Sequence, residues 1–293
     1  MTPTLSTEVR RLLGGSKLIA VRAPANAAIG ERRSKSIGPG IEFAQYREYE
    51  PGDDLRFVDR HVYARLGRTV IRQFTVEQRL RVAVLVDASG SMALDSATWR
   101  RALELAAAFG EVTLNGSDQV RYGVAREGRV AWGSVVSRGP QLQRELARIS
   151  AVAPEGSGGS LAEVAARSLE PLSHAGVLIV ISDWLVDGFA EALRAWRVRG
   201  QEVVAVQVLG ATEVGPESGP TGWVRLVDAE TGEAIDRRLD AHAWSLYRGE
   251  VEAWSEAVRA AVWSVEGRWV RSVATEPFDE AAVRALRRQG LIT

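Results

Sequence analysis

The chain has 293 residues, room for one large domain or two ordinary ones, and its 46% hydrophobic and 25% charged content is that of a globular protein with a real core. Its 37 basic and 37 acidic residues cancel, which argues against a dominant nucleic-acid footprint, and with no cysteine there is neither a disulfide framework nor a thiolate metal site. No apolar run approaches the ~20 residues of a membrane span and the start lacks a signal-peptide core, so a cytoplasmic location is expected. The charge is unevenly spread: residues 1–80 hold 14 Lys/Arg against 9 Asp/Glu, and the remainder is correspondingly acidic.

In chain order, a short helix is expected at Thr7–Leu13, ending at Gly14-Gly15. Gly30–Gly40 reads as a basic loop, in which Arg32–Lys35 is taken as solvated surface. Pro51-Gly52 is a turn, with Asp53 or Asp54 as the cap of a short helix through Val62. Thr69–Val76 is rich in β-branched residues and reads as a strand. From Arg81 strands and helices alternate. "RVAVLVD", "GVLIVISD" and "QEVVAVQVLG" are continuous apolar runs, as expected of strands covered on both faces. "QVRYGVA" and "GRVAWG" read as strands joined at Glu127-Gly128. "ATWRRALELAAAFGEVTL", "QLQRELARIS", "LAEVAARSLEPL" and "FAEALRAWRVRG" have helical spacing. The rhythm then breaks. Gly222–Leu239 reads as a hairpin, followed by a long helical stretch with Gly249 as its weak point, the strand "RWVRSVAT" and a last helix. The alternation implies an α/β fold, a doubly wound and mostly parallel sheet. The hairpin and the strand Thr69–Val76 are expected to pair as a small β-rich accessory subdomain, because isolated β pieces need a sheet. The expected division is therefore 1–78 with 211–240 as the accessory part, and 79–210 with 241–293 as the α/β domain.

In such sheets the site lies beyond the carboxyl ends of the strands. There the first buried strand runs into Asp87, Ser89 and Ser91, alternate residues that face one way in extended chain. Another buried strand ends in Asp183, and the "GSGGS" loop offers Ser160. This is an all-oxygen set with at most two formal negative charges. It suits magnesium with an open position better than a closed calcium cage. Capping of the next helix by Asp87 and Ser89 is the plainer alternative for the motif alone.

D-A-S-G-S at a strand end, a hydroxyl in a glycine loop and a strand-terminal Asp resemble the metal-ion-dependent adhesion site of von Willebrand factor type A domains. The resemblance implies a divalent ion (magnesium, or manganese or calcium) held by Ser89, Ser91, Ser160, Asp87 and Asp183, some through water. Ser160 stands where the type A family usually has Thr. Upstream, "GIEFAQYREYEPGDDLRFVDRHVYAR" resembles the bacterial "domain of unknown function 58" family, through Gly40, Glu42, Phe43, Arg47, Tyr49, Gly52, Asp53, Asp54, Arg56, Asp59, Ala64 and Arg65. Arg60 stands where that family usually has Trp, and Leu161 where it often has Asp. Proteins of that family are commonly encoded beside MoxR-type AAA+ ATPases. The resemblance, with the oxygen set, thus suggests a metal-dependent protein-binding adaptor whose partners are such an ATPase and a client offering an acidic side chain; no catalytic activity is expected, because the sequence offers no general base with a recognisable partner. A metal-dependent, phosphatase-like hydrolase using Asp87 is the alternative. It lacks the second carboxylate, since Ser89 occupies that place, and the lysine, since Lys17 and Lys35 lie far upstream. His61, His174 and His242 have no nucleophile elbow to serve. Trp244, Trp254 and Trp263 fall at steps that do not share one helix face, so separate packing contacts are expected.

Overall fold

Chain contacts divide the protein into one unit of Met1–Ala20 and Arg81–Thr293 and another of Val21–Leu80. The structure, a computed structural model, describes residues 5–21, 36–38, 42–76, 79–156, 159, 161–168, 176–215, 219–229 and 231–293. Ser160, His174 and the loop segment Arg32–Lys35 lie outside these described residues.

Helix α1 (Thr7–Leu13) starts at Ser6, whose hydroxyl accepts the Val9 N–H. The smaller unit follows. Its strands β1 (Ser36–Gly38), β2 (Glu42–Glu48) and β3 (Val70–Val76) form an antiparallel sheet in the order β1-β3-β2, and helix α2 (Arg60–Leu66) lies between β2 and β3 in sequence. The acids of the upstream signature are occupied within this unit. Asp53 accepts Arg47 Nη2 at 2.7 Å and the Glu50 N–H at 2.8 Å. Asp54 caps a 3-10 turn at Leu55–Phe57 and pairs with Arg56 at 2.6 Å. Asp59 caps α2 through the His61 and Val62 amides and also accepts the Tyr46 hydroxyl at 3.0 Å. The single helix expected through Val62 is thus a turn and a helix with separate caps, while Asp53 is spent on Arg47.

The larger unit carries the alternation. It comprises β4 (Arg81–Asp87), α3 (Ser96–Asn115), β5 (Gln119–Arg126), β6 (Arg129–Val136), α4 (Gly139–Ser150), α5 (Leu161–Arg167), β7 (Gly176–Ser182), α6 (Phe189–Val198) and β8 (Gln201–Leu209). A short α7 (Ala211–Val214), the hairpin strands β9 (Gly222–Val227) and β10 (Ala234–Leu239), α8 (Ala241–Ser264), β11 (Arg268–Val273) and α9 (Glu280–Arg288) complete it. Among the described residues its main sheet has six strands in the order β11-β8-β7-β4-β5-β6, parallel except for β6. This is the doubly wound α/β sheet expected from the apolar runs. Leu85, Val180, Val203 and Ala205 face Trp184, Trp196, Val258 and Val262 in one buried cluster. Helix α3 packs against β4, β5, β7 and β8.

Two expectations are corrected. Strand β3 pairs with β1 and β2, whereas among the described residues β9 and β10 pair only with each other and share no sheet with β3. One partner of β3 is the stretch Glu42–Glu48, whose strand character the sequence reading passed over, and the other, β1, lies in the stretch read as a loop. The boundary at 78 also moves. Helix α1 packs on α3 and α9, and Leu18 bridges to Ile292, so the first residues belong with the α/β unit. Helix α8 runs through Gly249 without a break. As expected, its tryptophans make separate contacts: Trp244 donates to the Pro220 carbonyl and Trp254 to the Trp184 carbonyl, while Trp263 is exposed beneath Arg259. Among the described residues no helix is long and apolar enough to cross a membrane.

Gly110, in the middle of α3, is a glycine because of packing. A Cβ there would meet the Tyr122 hydroxyl and lie 2.6 Å from Leu142 Cδ1, and the Tyr122 hydroxyl is itself tied to the Ala106 carbonyl. Helix propensity favours Ala by about 1 kcal/mol, but overpacking costs about 1–3 kcal/mol. Gly110→Ala should therefore lower the melting temperature in thermal denaturation; a rise would mean that this contact is not tight.

Candidate metal centre

Strands β4 and β7 run side by side in parallel, with Val86 opposite Ile181. Asp87 and Asp183 consequently leave the sheet at the same edge. The strand order reverses here, since β4 has β5 on one side and β7 on the other, and such a switch point opens a crevice.

In this crevice Asp87 is buried, its Oδ1 accepting the Ser89 N–H at 3.0 Å and its Oδ2 accepting the Ser182 hydroxyl at 2.7 Å. The Ser89 and Ser91 hydroxyl oxygens are 2.9 Å apart and share a hydrogen bond. Asp183 is also buried. Its Oδ1 accepts the Leu185 N–H at 2.9 Å, and its Oδ2 has no hydrogen-bond partner among the described residues. The next residue, Trp184, has φ +61°, a left-handed backbone that an L side chain adopts only under constraint. The constraint is visible: the Trp184 amide donates to Ser182 Oγ, its indole to the Val206 carbonyl, and its carbonyl accepts Trp254 Nε1.

The glycine-rich loop reaches the same edge. The Glu155 amide donates to the Ala88 carbonyl at 3.2 Å, and the Gly90 amide to the Gly156 carbonyl at 2.8 Å. Beyond Ser160, the Leu161 amide donates to the Asp187 carbonyl at 3.3 Å. Thus Asp87, Ser89, Ser91 and Asp183 come together, and the described flanks of Ser160 touch the loops that carry them.

Burial pushes the Asp87 carboxyl up to about 6, and the neighbouring charge of Asp183 adds to the rise against the hydrogen bonds from Ser182 and Ser89. Burial raises Asp183 as well, offset in part by the Ser91 hydroxyl and the Leu185 amide. Among the described residues neither carboxylate forms an ion pair. Two buried carboxylates, one with an oxygen unpartnered among the described residues, beside two converging hydroxyls are the donors a hard divalent ion takes. The residues present therefore fit such an ion. Among the described residues no three His, Cys, Asp or Glu cluster as a metal cage, so any such centre depends on the serines.

Sequence reasoning missed Ser182, Gly90 and Glu213. The serine directly before Asp183 was the available signal for the first, because β7 in register with β4 places it opposite Asp87. Gly90 has no room for a side chain, since a Cβ would lie 2.6 Å from the Ala229 carbonyl and 3.1 Å from the Gly156 carbonyl. The tip of the β9–β10 hairpin therefore sits on the serine loop. Glu213 in α7 is buried, its carboxyl pushed up by burial and further by the charges of Asp183 and Asp95.

A doubly wound sheet with this strand order, and D-A-S-G-S at its switch point, has the architecture of a von Willebrand factor type A-like domain. The chain belongs to the family described as "Protein of unknown function DUF58", which matches residues 45–252. Uncharacterized proteins of Mycobacterium tuberculosis and Mycobacterium bovis are 34% identical to it over 209 residues, 69% of this chain. The match spans 65% of those relatives' own length. Among solved structures, the chain is similar to the conserved hypothetical protein BatB of Bacteroides thetaiotaomicron, with 15% identity, a TM-score of 0.40, and coverage of 72% of this chain and 98% of that one. An aerotolerance-related membrane protein of Bacteroides fragilis gives 18% identity and a TM-score of 0.42 at the same coverage. The pilus adhesin SpaC of Lactobacillus rhamnosus GG gives 12% and 0.33, over 45% of this chain and 25% of that one.

The raised Asp87 carboxyl has a consequence for stability. Between its ordinary value of 3.8 and about 6, the folded chain holds a proton that the unfolded chain has released. The contribution of Asp87 to metal-free stability should therefore fall as pH rises through this window, and the raised Asp183 carboxyl acts in the same direction. An ion that binds the ionised pair should stabilise most above the window. Thermal denaturation with and without magnesium should show a larger increment at pH 7.5 than at pH 5, and an increment indifferent to pH would separate Asp87 from ion binding.

Proposed function

We propose that the protein is a metal-dependent protein-binding adaptor, without catalytic turnover, whose docking point is the edge formed by Asp87, Ser89, Ser91 and Asp183, with Ser160 completing the set. The observation that carries this reading is the buried Asp87–Asp183 pair, which among the described residues has no ion-pair partner and leaves Asp183 Oδ2 without a hydrogen bond. A magnesium ion, or another hard divalent cation, held there would supply a Lewis-acidic position open to one carboxylate oxygen of a partner. The serine hydroxyls add no charge, so the ion with its two aspartates stays formally neutral and can accept a partner's carboxylate, which further acidic ligands would repel. Asp87 is itself committed to the Ser89 amide and the Ser182 hydroxyl, which favours a positioning role over attack on a substrate.

The family resemblance suggests a MoxR-type AAA+ ATPase as the protein partner, with assembly or activation of a client as the outcome. Its test is capture of a purified MoxR-type ATPase from the same organism by the intact protein, in magnesium and in chelator. Capture should require magnesium and should fail for Ser89→Ala combined with Ser91→Ala, at unchanged circular dichroism. Capture that ignores both the chelator and the double substitution would overturn the metal-dependent reading.

A further inference from the structure

Among the described residues the β9–β10 hairpin is a sheet of its own, and no other strand pairs with either of its outer edges. A two-stranded hairpin is marginal in water and its edges invite further strands. This one also exposes apolar surface: Trp223 is 77% exposed, Val227 60% and Ile235 49%. Next to its turn the Asp228 amide donates to the Glu233 carbonyl at 2.8 Å, which makes 228 and 233 a hydrogen-bonded pair. Antiparallel pairing alternates. With Arg225 opposite Asp236 and Trp223 opposite Arg238, those two pairs are therefore of the non-bonded kind. The N–H and C=O groups of Asp236 and Arg238 consequently point away from β9, along the free edge of β10. The Asp236 carbonyl accepts the guanidinium of its own neighbour, Arg237, at 3.2 Å.

We propose that this edge pairs with the β10 edge of a second copy of the chain, antiparallel about a two-fold axis at Arg237, to make one four-stranded sheet. The strand is self-complementary in that register. Asp236 of each copy faces Arg238 of the other, with their outward backbone groups in bonding position, and Ile235 faces Leu239. A register centred on Asp236 would oppose two aspartates. The β9 edge, centred on Arg225, would oppose two arginines and gain no ion pair. Charge therefore selects β10, and the isologous arrangement closes at two copies. Its one cost is Arg237, which faces itself across the axis.

One short strand per copy makes a small interface, so the dimer should be weak, with a dissociation constant on the order of 100 μM. Sedimentation velocity on the intact protein from about 10 μM to about 1 mM should show a concentration-dependent monomer–dimer equilibrium. Arg238→Asp turns both cross-copy attractions into repulsions and should weaken the dimer about tenfold or more. Asp236→Arg combined with Arg238→Asp restores the opposite charges and should restore the dimer. Arg237→Thr removes the opposed pair and should tighten it. These side chains are exposed, and circular dichroism checks that each variant is folded. A wild-type protein monomeric throughout, an Arg238→Asp variant that dimerises normally, or a folded charge exchange that fails to restore the dimer would each overturn the proposal.

Discussion

Two carboxylates, Asp87 and Asp183, end neighbouring parallel strands inside the protein, and among the described residues neither forms an ion pair. Burying one unpaired charge costs several kcal/mol, so a fold that buries two must hold them by other means. Much of the surrounding architecture does this. Ser182 and the Ser89 amide take both oxygens of Asp87, and the Leu185 amide takes one oxygen of Asp183. The left-handed backbone at Trp184 is locked from β8 and α8, which fixes the direction in which Asp183 leaves its strand. What remains is the mutual repulsion of the pair and, among the described residues, one carboxylate oxygen without a hydrogen bond, and these carry the proposal of a cation at this edge.

The main sheet was legible because strands buried on both faces read as unbroken apolar runs, and the runs ending in Asp87, Asp183 and Leu209 became neighbouring strands. The site was legible for a related reason: chain leaving a parallel strand can only present polar groups at the sheet edge. Strand partners were less legible. In strand β2 the aromatics Phe43 and Tyr46 stand three residues apart and are about half exposed, so it carries no alternating core-facing pattern. The strand character of Thr69–Val76 was clear, but nothing in a single strand names its neighbour, and the hairpin was wrongly assigned to it. Ser182 illustrates the same limit, since its role depends on the register between β4 and β7.

The family signature upstream of the sheet takes a different physical meaning once its contacts are seen. Asp53, Asp54 and Asp59 cap turns and pair with Arg47, Arg56 and Tyr46 inside the smaller unit. These are the duties of a scaffold, and they leave the chemistry to the larger unit. There the hairpin inserted after β8 returns to rest its tip on Gly90, so the element that departs from the α/β rhythm also borders the candidate centre.

The most direct test is the magnesium dependence of thermal stability at pH 7.5 for the wild type and for Asp183→Asn, which removes one charge at nearly constant shape. The account predicts that the metal-free variant is at least as stable as the metal-free wild type, because a buried repulsion has gone, and that millimolar magnesium raises the melting temperature of the wild type alone. A variant that is less stable without metal and still gains the full magnesium increment would contradict it.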